Sequence, residues 1–343
     1  MVRIVRAEGP AGERGRTIGR ELGDLIARSL GFYRDLLGRR GVGARELAGL
    51  VAPFRAAAAA LPEHAALLDG IAHGAQASPD ELWAVNAYEE LEPSLERCST
   101  FTAAAPGATI LAHNEQWLAG DAGNVAVVVE ACEDGRRLAS PTVACCLPAV
   151  GLNSAGLAQG IDSLTAPGDR VGVPRVLVSR YALAASTLDD AAARAALPGR
   201  AGGYAHVLAG RGGRALTVET TATGRALLPG PGAHTNHYLD PVLVEHGNPA
   251  STGSLARHAR LTELLRERLP ATPEQAMELL RDHASSPQAI CEHGSSADDE
   301  ASVVLFSMVC ELEQGRMWVA PGNPCETPYE EVDLSDVVEP AAL

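Results

Sequence analysis

The stretch Glu96-Arg97-Cys98-Ser99-Thr100-Phe101, with the polar cluster His113-Asn114-Glu115-Gln116-Trp117 one hairpin later, decides how this chain reads. Upstream of Cys98 the apolar residues recur at helical spacing, and downstream they alternate or run unbroken as in strands. Cys98 therefore stands at a border between two kinds of structure. Two readings of it are open on spacing alone. It is a small buried hydrophobe, as most free cysteines are, or it is a nucleophile. An internal cysteine followed by hydroxyl residues, with a polar cluster nearby, suits a thiol that becomes a new N terminus by self-cleavage.

Working upstream, Ile18, Leu22, Ile26, Leu30, Tyr33 and Leu37 predict a helix over Arg16 to Arg39. A second helix is expected from Glu46 to Ala60, kinked at Pro53, and a third from Glu63 to Ala75. Ser78-Pro79-Asp80-Glu81 is a helix start with Ser78 as N-cap and Pro79 in the first turn. The segment before Cys98 is thus expected to be largely helical.

Working downstream, Ser99–Phe101, Thr109–Ala112, Val125–Ala131, Thr142–Leu147 and Leu157–Ile161 read as strands. Helices follow at Pro174–Ala185 and Leu188–Ala196, then short strands near Tyr204–Ala209 and Ala215–Glu219. A helical pair covers Ser254–Leu269 and Thr272–His283, and Ser302–Cys310 with Arg316–Ala320 forms a closing hairpin. Strands in runs alternating with helices in runs indicate a layered α+β fold rather than a βαβ repeat. No composition shift marks a linker. The glycine-rich Arg200–Arg214 lacks the lysine and hydroxyl of a phosphate loop, and no Gly-x-Ser-x-Gly elbow occurs.

Composition narrows the function classes. The chain has 343 residues, 46% of them hydrophobic, enough for a sizeable core. A formal charge of −15 with scattered arginines argues against nucleic acid or an anionic membrane as partner. The first twenty residues carry charges throughout, and no window approaches the roughly 18 apolar residues of a membrane span. The expectation is a cytoplasmic protein. Seven cysteines, an odd number, do not read as a disulfide framework, and no Cys/His spacing resembles a zinc site. His234 and His237 would point apart in an extended segment, so neither metal nor other cofactor is expected.

The ordered set of motifs resembles the acyl-coenzyme A:6-aminopenicillanate acyltransferase family. These are autoproteolytic acyltransferases and hydrolases of the N-terminal-nucleophile superfamily. The residues that carry the resemblance are Gly70-Ile71-Ala72-His73-Gly74, Glu81 to Asn86, Cys98 to Phe101, His113 to Trp117 and Gly151 to Leu157. It continues through His234-Thr235-Asn236-His237-Tyr238, Asp282-His283, Ile290-Cys291 and Met317 to Gly322, so it spans nearly the whole chain. The resemblance implies a four-layer αββα fold and self-cleavage between Arg97 and Cys98. Residues 1–97 would form a helical α chain and 98–343 a β chain, the two remaining associated as one composite domain. It implies a small-molecule acyl amide or acyl thioester as substrate. Cys98 would be the nucleophile, Asn236 an oxyanion donor, and Asn114 and Glu115 supports of the site. The Ala-, Arg- and Gly-rich composition points to a high-GC genome, where such enzymes often serve natural-product pathways.

Three departures qualify it. The family aspartate beside the cysteine's amine is here Gln116, and the family asparagine of the next inner strand is here Asp162. One reading is a compensating swap, with Asp162 supplying the carboxylate that faces the α-amine and Gln116 a hydrogen-bond donor. The other is drift toward a catalytically impaired binding or scaffold protein. The arginine that some members place before the penultimate strand is missing from Ser295–Ser302, where Asp298, Asp299 and Glu300 stand instead.

Overall fold

The computed structural model describes residues 1–92, 98–294, 298–335 and 337. Two sheets lie face to face. The larger runs, in spatial order, β1 (Arg3–Gly9), β4 (Val125–Cys132), β5 (Arg137–Val143), β6 (Gly151–Asn153), β7 (Leu157–Leu164), β8 (Gly203–Gly210), β9 (Arg214–Thr220) and β10 (Arg225–Pro229). The smaller runs β11 (Ala233–His234), β2 (Ser99–Ala105), β3 (Ala108–Leu118), β12 (Ser302–Glu311), β13 (Arg316–Ala320) and β14 (Glu330–Val332). Only the β1–β4 pair is parallel; the remaining neighbours are antiparallel, as hairpins and meanders require.

Helices cover both outer faces. Before Cys98 come α1 (Ala11–Glu21), α2 (Gly23–Arg39), α3 (Ala44–Ala57), α4 (Pro62–Gly74), α5 (Pro79–Asn86) and the single turn α6 (Tyr88–Leu91). Helices α7 (Arg175–Leu183) and α8 (Leu188–Ala195) pack with α1 on the larger sheet. After the short α9 (Pro241–Val244), α10 (Thr252–Glu267) and α11 (Pro273–Leu280) cover the smaller one. This is the expected αββα layering.

Local chemistry accounts for the element ends. Pro79 and Pro273 sit in first helical turns, where a missing N–H costs nothing. Thr272 caps α11 by accepting from the Gln275 amide, whereas Ser78 precedes α5 without a side-chain cap. The helix expected over Arg16 to Arg39 is broken: Leu22 turns at φ −107° and ψ 11°, and Gly23 opens a second helix. Strand β1 lies in the segment expected to be helical. Its buried Val5 and Ala7 alternate with charged Arg6 and Glu8, the pattern of an edge strand with one wet face. Strand β3 is longer than expected and takes in the whole His113–Trp117 cluster.

The N-terminal segment is tied in by backbone contact and by charge. Gly15 of α1 meets Gly70 of α4, Gly19 faces the backbone of Ile71 and Ala75, and Gly74 faces that of Arg16. A Cβ on Gly19 would lie 2.1 Å from the Ile71 carbonyl oxygen, and one on Gly74 would lie 2.2 Å from that of Arg16. The helices therefore pack backbone on backbone, which only glycine permits. Buried Glu130 of β4 pairs with Arg14 of α1 at 2.9 Å and with Arg180 of α7 at 2.5 Å. Because no atom can yield at the α1–α4 crossing, Gly19→Ala should lower the urea unfolding free energy by about 1–3 kcal/mol or more. Gly31→Ala in α2, where a Cβ meets nothing within 4 Å, should be neutral or stabilising by up to about 1 kcal/mol. Equal effects of the two substitutions would refute the close-packing account.

Candidate active site

Strand β3 sends alternate side chains to its two faces, and the site is built from both. Asn114 and Gln116 point to the helical side. Asn114 Nδ2 donates to the carbonyls of Leu280 and Ile290 at 3.0 and 2.9 Å. Gln116 Nε2 donates to the Ala289 carbonyl at 3.3 Å and to Glu292 Oε2 at 3.0 Å. His113, Glu115 and Trp117 point between the sheets or toward the N-terminal helices. Trp117 Nε1 donates to the Tyr33 hydroxyl at 2.5 Å.

Cys98 directly precedes β2 and is 5% exposed. Its N–H donates to Gln116 Oε1 at 3.2 Å, and its thiol donates to Glu115 Oε1 at 3.4 Å. Its φ of +108° is a conformation that a side-chain-bearing residue adopts only under strain. Burial first, then the carboxylates of Glu115 and Asp162, push the thiol pKa well up, so it holds its proton at neutral pH.

From that thiol a line of buried polar groups crosses to the other sheet. Glu115 Oε2 meets His113 Nε2 at 3.1 Å, and His113 Nδ1 meets the Thr100 hydroxyl at 2.8 Å. Thr100 donates to Asp162 Oδ1 of β7 at 3.0 Å. Asp162 Oδ2 lies 3.5 Å from His234 Nδ1, whose other nitrogen meets Glu219 Oε1 at 2.8 Å. Glu219 also accepts the backbone N–H groups of Leu239 and Asp240. Burial alone would depress the His234 pKa; the hydrogen bonds it donates to the carboxylates of Asp162 and Glu219 outweigh it and raise it to about 9. Burial raises the Asp162 pKa, with His234 opposing.

Arg257 of α10 closes the other side of Cys98. Its Nη2 reaches the Cys98 carbonyl at 3.4 Å and Asn236 Oδ1 at 2.7 Å, while its Nε donates to Ser99 Oγ at 3.1 Å. Asn236 Nδ2 donates to the Ser163 carbonyl at 3.2 Å. A cleft opens beside this cluster. Its walls are largely apolar, with Trp117, Ile161 and Phe306, and carry the carboxyls of Glu115 and Glu89. Glu89 bonds to the Tyr204 hydroxyl, and burial raises its pKa to about 7.

With this geometry, the sequence profile of the acyl-coenzyme A:6-aminopenicillanic acid acyl-transferase family matches residues 103–326, more than half the chain. The chain belongs to that family. The acyl-transferase match begins within β2, downstream of Cys98. Comparison with curated proteins returns no match. Among solved structures, the chain is similar to a variant of conjugated bile acid hydrolase from Clostridium perfringens. The identity is 10% and the TM-score 0.46, over 70% of this chain and 93% of that one. It is also similar to penicillin V acylase from Agrobacterium tumefaciens at 13% identity and TM-score 0.40, over 70% of this chain and 86% of that one.

Of the residues that the acyl-transferase resemblance singled out, Cys98, Glu115 and Gln116 are in direct contact, and Asn236 joins them through Arg257. Asn114 supports the strand from behind. Arg97 lies outside the described residues. The proposed exchange between Gln116 and Asp162 takes a different form. Gln116 offers its carbonyl to Cys98 N, and its amide hydrogens go to Ala289 and Glu292. Asp162 faces Thr100, one pleat further along β2, because its strand belongs to the opposite sheet. Asp299 and Glu300 of the acidic run pair with Arg39 and Arg40 at the surface. Sequence reasoning overlooked His113, Arg257, Glu219 and Glu292. For His113 a signal existed, since it shares a β3 face with Glu115; the others are joined to the site only by long-range contacts.

The raised pKa of His234 fixes the sign of a pH effect. The stability it contributes is complete below the unfolded imidazole value, about 6.5, and is lost as pH rises through about 9. Urea unfolding of the wild type should therefore lose up to about 3 kcal/mol between pH 6.5 and 9.5. Asp162, also raised, acts in the same direction at lower pH. Glu219→Gln should lower stability at pH 7 by about 3–5 kcal/mol and flatten this slope. A wild-type profile without the decline would remove the buried cation from the account.

Proposed function

We propose that this chain is an autoproteolytically activated enzyme. It would transfer or hydrolyse the acyl group of a linear amide or acyl thioester through an acyl-Cys98 intermediate. The observation that carries this reading is the Cys98 thiol, 3.4 Å from the Glu115 carboxylate, where Glu115 also forms part of the wall of the apolar cleft.

The first reaction is the chain's own cleavage. The Cys98 thiol gives its proton to Glu115 and its sulfur attacks the carbonyl carbon of Arg97. The C–N bond breaks, the Cys98 nitrogen takes up a proton to become an amine, and Arg97 is left as a thioester on Cys98. Water then hydrolyses the thioester, giving the Arg97 carboxylate and the free thiol. Before the cut the Cys98 nitrogen is an amide and has no basicity to offer, so the base must be a side chain, and Glu115 is in reach. The strained φ at Cys98 favours the cut by about 1–3 kcal/mol, because it is released with the bond.

After the cut the α-amine, with a reference pKa near ~8, becomes a second base on the same residue as the thiol. Gln116 Oε1, which accepts the N–H in the uncut chain, would orient it. Asn236 and Arg257 would face the oxyanion of the tetrahedral intermediate, where one such donor is worth about 10²–10³ in rate. The apolar cleft favours an apolar acyl group. Fragments 1–97 and 98–343 would stay together through the β1–β4 pairing and the Arg14–Glu130 ion pair. A role in natural-product metabolism is part of this reading.

Purified wild type should give two fragments on a denaturing gel, with the larger starting at Cys98 by intact mass. Cys98→Ala should stay full length. Glu115→Gln should process more slowly by about 10²-fold or more. A wild-type chain that stays intact and resists thiol labelling would sink the proposal. Turnover of N-acyl amines and acyl thioesters by the processed protein would separate transfer from hydrolysis.

A further inference from the structure

Four side chains that the acyl-transfer chemistry does not use converge at one end of the smaller sheet. His283 follows α11, Cys291 and His293 lie in the segment leading to β12, and Cys325 lies in the loop after β13. Their candidate ligand atoms all lie within 4.8 Å of one another. Cys291 Sγ and Cys325 Sγ are 3.6 Å apart, and the Nε2 atoms of His283 and His293 are 3.1 Å apart. His293 Nε2 is 3.2 Å from Cys325 Sγ and 3.8 Å from Cys291 Sγ.

These four separations are close to four of the six edges of a small tetrahedron, and the other two are held within 4.8 Å. With Zn–S near 2.3 Å and Zn–N near 2.05 Å, tetrahedral angles put S···S at about 3.8 Å, S···N at about 3.6 Å and N···N at about 3.3 Å. Each of the four separations agrees with its expected edge to within about 0.4 Å. We propose that His283, Cys291, His293 and Cys325 form a structural zinc site. A set of two thiolates and two imidazoles in tetrahedral array selects zinc over the hard ions calcium and magnesium, which prefer oxygen. With four protein ligands no position is open for substrate, so the role is structural.

The surroundings fit this assignment independently of the four ligands. Glu326 Oε1 lies 3.5 Å from His293 Nδ1, the carboxylate–histidine arrangement that fixes Nε2 toward a metal. Asn323 Nδ2 lies 3.5 Å from Cys291 Sγ and donates to the Glu292 carbonyl at 2.8 Å. Cys291 is buried, whereas His283, His293 and Cys325 are exposed, which leaves an entry path. On binding, each cysteine gives its thiol proton to solvent and becomes a thiolate.

The site has a consequence for Cys98. Glu292, between two of the ligands, accepts from Gln116 Nε2, and the Ala289 carbonyl of the same segment accepts from it too. Gln116 in turn holds the Cys98 nitrogen. Zinc would therefore pin the segment on which the position of Gln116 rests.

The full chain, expressed without a histidine tag in zinc-supplemented medium and kept reduced, should carry about one zinc per chain by elemental analysis. Cobalt in its place should show tetrahedral d–d bands and a thiolate-to-cobalt charge-transfer band, the latter roughly halved in Cys325→Ser. Glu326→Gln keeps all four ligands and should weaken zinc affinity by about 10–100-fold, measured by chelator competition. Cys98→Ala should bind zinc as the wild type does, which separates failure of this site from failure of the proposed cleavage. The assignment is overturned if the reduced wild type takes up neither zinc nor cobalt. Undiminished affinity in Cys325→Ser, or a Cys291–Cys325 disulfide that persists in reductant, would overturn it as well.

Discussion

The Thr100 hydroxyl, 3.0 Å from Asp162 on one sheet and 2.8 Å from His113 on its own, is the contact on which the middle of this molecule depends. Two stacked sheets ordinarily fill the space between them with apolar side chains. Here that space holds Glu115, His113, Asp162, His234 and Glu219, all ionisable, and an unpaired ion there would cost several kcal/mol. Each is tolerated because its neighbour in the line supplies the opposite charge or a proton. Gly160 of β7 makes the bridge possible: a Cβ there would lie 2.6 Å from Thr100 Cγ2. The sheets approach closely where Thr100 meets Asp162, the first of the points at which the polar line passes from one sheet to the other.

This arrangement explains why β3 matters more than any other strand. One face feeds the polar line and the apolar cleft, which share Glu115 as their common member. The other face holds the 280–292 segment through Asn114 and Gln116. Cys98 is held at the junction, with its nitrogen on a residue of one face and its sulfur on a residue of the other. A shift of β3 by one residue would exchange the faces and separate amide from carboxylate. The long β3–β12 pairing, which bulges only between Val304 and Phe306, works against such a shift.

Much of the architecture could be read from the sequence, and the reasons are local. The unbroken apolar run from Val125 to Val129 gives a buried strand, and Thr272-Pro273 gives a helix start. Strand β1 was not legible, because an edge strand that starts on Arg3 and carries Arg6 and Glu8 on its wet face has too few apolar residues for a period to emerge. At the site, Cys98, Glu115 and Gln116 were legible because they fall on neighbouring strands joined by a tight hairpin. Arg257 and Glu292 were not, since each reaches the site from an element more than a hundred residues away in the chain. The Gln116 and Asp162 substitutions were visible as a pair, but the sequence could not say that their strands lie in opposite sheets. The Cys291 and Cys325 pairing escaped for the same reason: no short spacing links them.

The thiol itself carries the last consequence. Burial and two carboxylates hold its proton firmly, which is unfavourable for a nucleophile that must work as a thiolate. Glu115 offsets this by direct contact, its carboxylate lying 3.4 Å from the sulfur whose proton it would take. Glu115 does not stand alone, because His113 Nε2 lies 3.1 Å away and can stabilise its charge or share its proton. Cutting the chain would add a positive α-amine beside the sulfur, and that charge lowers the thiol pKa where the carboxylates had raised it. In the proposed mechanism the uncut chain thus protects its thiol by electrostatics, and the cut that needs the thiol once is what makes it usable thereafter.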